Sequence, residues 1–109
     1  MRIVMNSNTQ NLYDLVRGID ARYPHINVDQ MNINFPDGSV EAGNVGASVK
    51  IGASTINGAN NVGVDRTLVE DQDKVYPSRG ASLNGHSLKS IYVRGSANNT
   101  ILYVEMAPA

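Results

Sequence analysis

The sequence predicts a mainly β fold, an antiparallel β-sandwich or small barrel of about seven or eight short strands with one short N-terminal amphipathic helix. Three observations carry that expectation. Asn, Gly and Ser account for 13, 10 and 9 residues, together 32 of 109, and these types favour turns because Gly and Asn tolerate positive φ and Ser competes for backbone hydrogen bonds. The stretches between them are apolar and β-branched, which disordered chains lack. A helical period occurs once, close to the start. The length and the absence of any linker, repeat or low-complexity segment predict a single domain over residues 1–109, with a short N-terminal segment (1–6), a helix (7–22) and strands (26–106).

The helix is placed by Leu12, Leu15, Val16 and Ile19, which fall on one helical face. Ser7 and Gln10 fit the N-cap and N3 positions of a capping box, and Tyr23-Pro24 closes the segment because the residue before proline avoids the α region. Ile26 and Val28 then share one parity, while Met31, Ile33 and Phe35 share the other. A strand through this stretch needs a bulge or break near Asp29-Gln30 to turn both sets inward. Pro36-Asp37-Gly38 is a turn, and Val45, Ala47, Val49 and Ile51 alternate as in a half-buried strand. Asn57-Gly58 and Asn84-Gly85 are type I′ turn candidates, and Glu70 to Lys74 reads as a solvated turn between Leu68-Val69 and Val75-Tyr76. Leu88–Arg94 and Thr100–Met106 form the strongest hairpin signal. The second of these carries apolar residues on both faces, as a central strand does.

Composition and spacing argue against several functions. A net charge of -1, with nine dispersed Lys and Arg, gives no basic footprint for nucleic acid or an anionic membrane. No apolar run approaches the ~20 residues of a membrane-spanning helix, and residues 1–5 are too short for a signal peptide. The absence of cysteine excludes thiol catalysis and zinc-cysteine sites. His25 and His86 lack metal-ligand spacing, which predicts rim positions in loops for both. Asp65, Glu70, Asp71 and Asp73 form the acidic cluster, but Asp71 and Asp73 break the alternating calcium pattern after two positions. The glycines never form a phosphate-binding strand-to-helix motif, and no Gly-x-Ser-x-Gly elbow occurs. No catalytic residue, metal or cofactor is therefore expected.

What remains is work by contact. Tyr13, Tyr23, Tyr76, Tyr92 and Tyr103 are available for sugar stacking, although strand tyrosines usually serve cross-strand packing. Low charge density favours close association with other copies or a larger assembly. Arg2, Ile3, Val4 and Met5 fit two readings: an assembly arm that adds to a neighbour's sheet edge, removable with the sandwich left folded, or an edge strand of their own domain.

The ordered series Val45–Gly52, Asn60–Val64, Leu68, Ser90–Arg94 and Ile101–Val104 resembles the small β-sandwich virion proteins of tailed bacteriophages, the head decoration or cement type. The resemblance implies a non-enzymatic structural protein on the outer capsid surface. Its partners would be the major capsid protein and further copies of itself, as a trimer rather than a dimer. Its task would be bridging and stabilising capsomers through many weak symmetric contacts. The other reading is a carbohydrate- or receptor-binding module of a phage tail. The series carries no binding residues over to this chain.

Overall fold

The computed structural model describes residues 1–80 and 83–109. Its strands are β1 (Arg2–Met5), β2 (Gln10–Asn11), β3 (Asn27–Phe35), β4 (Ser48–Gly52), β5 (Val64–Val69), β6 (Gln72–Tyr76), β7 (His86–Ser87), β8 (Tyr92–Gly95) and β9 (Thr100–Pro108). One helix, α1 (Leu12–Ile19), follows β2, and short 3-10 turns lie at Ala42–Asn44 and Leu88–Ser90. The strands form two antiparallel sheets. Sheet 1 has the order β1-β9-β3-β6, with β7 also paired to β3, and sheet 2 has the order β2-β8-β4-β5. The sandwich alternative is thus the one found. Among the described residues no helix is long and apolar enough to cross a membrane.

One apolar cluster lies between the sheets. Ile3 and Met5 of β1, Met31, Ile33 and Phe35 of β3, and Leu102 and Val104 of β9 meet Val49 and Ile51 of β4, Leu68 of β5 and Val93 of β8. Leu12 and Val16 of α1 join them. Each such side chain contributes ~1.5–3 kcal/mol relative to remaining exposed. The parity change in β3 is resolved as the sequence demands: the register against β9 shifts between Val28 and Gln30, so Val28 and Met31 are both buried. Ile26 precedes the strand and stays exposed.

The helix is shorter than expected, spanning Leu12–Ile19 rather than 7–22. Ser7 does not cap it, because its N–H and hydroxyl both donate to Asn98 Oδ1. Gln10 pairs with Val93 in β2, and Asn11 becomes the N-cap by accepting from Tyr13 and Asp14 N–H. At the other end Asp20 is extended, and its carboxylate accepts from Arg22 N–H, a local bond that competes with further helix. Leu12 and Val16 are buried, whereas Ile19 at the frayed end is exposed.

The C-terminal hairpin is also corrected. β8 and β9 belong to different sheets, and the Ser96–Asn99 connection arches between them. Ser96 N–H donates to Ser48 O in sheet 2, and Asn99 N–H donates to Met5 O in sheet 1. The central position of β9, between β1 and β3, is as expected. The acidic turn contracts to Glu70-Asp71, with Asp71 at φ 67, and Gln72–Lys74 lie in β6. Asn57-Gly58 is no tight hairpin turn; it sits within the loop 53–63, where Asn57 Oδ1 accepts from Ala59 and Asn60 N–H. Asn84 and Gly85 do adopt positive φ, 59 and 71, but lead into β7, which pairs with β3. Val45 is exposed, because the alternation begins only after Gly46 turns the chain with φ 66.

Candidate functional site

Three surface features have built geometry. The first lies on the outer face of sheet 1. Beyond Phe35 the chain leaves the sheet, and Asn44 takes the vacant side of β9. Its Oδ1 accepts from Ile101 N–H at 2.7 Å and its Nδ2 donates to Ile101 O at 3.0 Å. Asn44 Nδ2 also donates to Pro36 O at 2.8 Å, and the residue is fully buried. Nearby, Glu41 accepts a bidentate pair from Arg2 at 2.9 and 3.0 Å and a bond from the Tyr103 hydroxyl. Arg2, then Tyr103, hold the Glu41 carboxyl down to about 2 despite the opposing effect of burial. The same contact raises Tyr103.

The same segment and its neighbour carry exposed apolar side chains. Glu70 accepts from Gly38 N–H at 2.6 Å and from Gly46 N–H at 3.4 Å, tying residues 37–46 to the β5–β6 turn. On the joined segments Val40, Val45 and Val69 are 59%, 68% and 48% exposed. Exposed apolar side chains on a braced framework mark contact surfaces when they are contiguous.

The second feature is a groove of about 290 Å³ on sheet 1, lined in part by Gln30, Asn32, Val75 and Glu105. Asn32 lies in register with Glu105 on one side and Val75 on the other. Its Oδ1 is buried without a hydrogen-bond partner among the described residues, a state that is costly unless a donor arrives. The third is a pocket on sheet 2 beside Lys50 and Arg94.

The sequence-predicted residues fall as follows. Arg2–Met5 form the edge strand of sheet 1, paired with β9 of the same chain, and Ile3 and Met5 are core residues. His86 is no loop residue: it is a buried member of β7, 2.7 Å from Pro77 O through Nε2, with its ring edge-on to Tyr76. His25 is half-buried outside the strands and packs edge-on against Tyr23. The acidic cluster disperses. Asp65 lies in β5 and Asp73 in β6, Glu70 holds backbone N–H groups, and burial together with neighbouring Asp37 raises Asp71. Among the described residues no three His, Cys, Asp or Glu side chains converge on a metal position.

Four of the five tyrosines are engaged by separate partners, and Tyr92 lines a pocket with Asn11 and Lys89. Tyr13 lies under Arg17 and Lys89, the Tyr23 hydroxyl contacts Met106 Sδ, and Tyr103 holds Glu41. Burial, then Asp65, pushes the Tyr76 phenol up to about 12. Compared with family models, curated proteins and solved structures, the chain matches none.

Proposed function

We propose that this chain is a non-enzymatic virion structural protein of the capsid-decoration type, acting by contact on the outer surface of a particle. Its partners are the major capsid protein and further copies of itself, a trimer being the favoured association. The observation that carries this reading is the exposure of Val40, Val45 and Val69 on segments that Glu70 joins. A decoration protein needs exposed apolar contacts on a rigid body, because repeated modest contacts then add up over a symmetric lattice. The resemblance of residues 45–106 to phage decoration proteins supplies the kind of partner.

The test is cryo-electron microscopy of particles from the source, with and without Val40→Asp and Val45→Asp. Both positions are exposed, so the substitutions change stability by no more than ~0.5 kcal/mol. The expected result is density at capsid symmetry positions that is lost in the variant. Undiminished occupancy, or absence of the chain from any particle, overturns the proposal.

The groove at Asn32 favours a second reading, a receptor- or carbohydrate-binding module. A buried acceptor without a donor, beside Glu105 and Gln30, suits a ligand that brings hydroxyl groups. Density confined to the tail, with glycan binding lost in Asn32→Leu, supports that alternative.

A further inference from the structure

Lys50 on β4 and Arg94 on β8 stand directly opposite one another in the sheet 2 ladder. Like charges in that position repel and destabilise the pair, and among the described residues neither cation makes an ion pair. The one ion pair among the described residues is Arg2–Glu41, in the other sheet. The turn 6–9, the loop 53–63 and the turn 95–99 wall the site and contain no Asp or Glu.

Both cations have partial tethers. Lys50 Nζ donates to Asn57 O at 3.0 Å and Asn60 O at 2.7 Å, and Arg94 Nη1 donates to Thr9 Oγ1 at 3.2 Å. An ammonium carries three N–H donors and a guanidinium five, so most of the Arg94 fork has no protein acceptor among the described residues. Neutral side chains would serve as tethers without the repulsion. An anion bound by both cations would offset the repulsion.

A pocket of about 260 Å³ opens beside the pair, and Ser7, Ser48, Gly58 and Ser96 help to line it. Ser96 Oγ accepts from Ser48 N–H at 2.9 Å, which leaves its own proton to donate. A Cβ built at Gly58 would lie 3.4 Å from Arg94 Nη2, so the glycine backbone closes against the guanidinium face. We propose that this pocket binds an oxyanion of the phosphate or sulfate type. Arg94 supplies a planar fork, Lys50 a point charge, and Ser48 and Ser96 hydroxyl donors. The inference is independent of the capsid reading, since it rests on different residues, Lys50 and Arg94 rather than the exposed valines.

The test is titration of the full chain with inorganic phosphate, inorganic sulfate and a hexose 6-phosphate, followed by amide NMR shifts. Ionic strength is held constant with chloride. The expected result is saturable shifts at residues 48–50, 58 and 94–96. Arg94→Gln weakens binding about tenfold or more, and Arg94→Lys, which keeps the charge but loses the fork, restores only part of it. Gly58→Leu is an independent variant that keeps both cations, fills the pocket and loses the response, its fold being checked by circular dichroism in chloride. Tighter binding of the hexose 6-phosphate identifies a phosphorylated sugar as the source, and equal affinity identifies the free anion. No saturable response to any of the three, or binding undiminished in Arg94→Gln, overturns the proposal.

Discussion

Where β3 leaves the sheet, the amide of Asn44 replaces the missing strand, satisfying Ile101 N–H and C=O together. Asn44→Ala leaves those groups and Pro36 O without a partner in a buried place, and each such orphan costs ~1–3 kcal/mol. A loss of about 3 kcal/mol or more is expected, read as a lower urea midpoint at unchanged slope. Glu41 gives a pH signature. Its carboxyl is held down to about 2 by Arg2 and Tyr103, so the ionised form is favoured in the fold. The stabilisation is complete above the ordinary carboxylate range and disappears as pH falls toward 2. Parent and Glu41→Gln should therefore melt apart near neutral pH and converge in acid. The gap should narrow with added salt, because the Arg2 side chain is 57% exposed.

At the scale of the elements, what the sequence revealed depended on the range of the signal. The β3 bulge was legible because two apolar parities in one strand leave no other way to face one core. The left-handed geometry at Asn84 and Gly85 was legible because few other residues adopt it. Gly85 is also packed tightly, since a Cβ there would lie 2.2 Å from Val28 O beside the bulge. Gly85→Ala combines that clash with a strained φ and is expected to destabilise by ~2 kcal/mol or more, measured by thermal melting. The split of β8 from β9 was not legible, because alternation names the face of a strand but not its partner. The helix start moved for a similar reason. Ser7 and Asn11 are both competent caps, and the distant Asn98 engages Ser7. Lys50 could be placed on an outward face by its alternation with Val49 and Ile51, whereas the meeting with Arg94 requires β4 to pair with a strand far along the chain.

At the scale of the whole molecule, sheet 1 depends on its first strand. Ile3 and Met5 are fully buried and Arg2–Met5 pair with β9 of the same chain, so this segment is part of the fold. Losing one such side chain costs ~2–5 kcal/mol, against a total stability of ~5–15 kcal/mol for a small domain. Deleting residues 1–6 is expected to unfold the chain, seen as loss of the cooperative melt in circular dichroism. A cooperative melt retained without residues 1–6 is the result that favours a removable arm instead.

The pairing of β1 with β9 has a consequence for biosynthesis. β1 hydrogen-bonds with β9, about a hundred residues later in the chain, from Arg2–Tyr103 to Met5–Thr100. While a ribosome is still translating the middle of the message, Ile3 and Met5 have no native neighbour along the sheet, and β3 lacks its long partner as well. A nascent chain of this protein must hold these apolar residues in solution, or on a chaperone, until β9 has been translated and has left the exit tunnel.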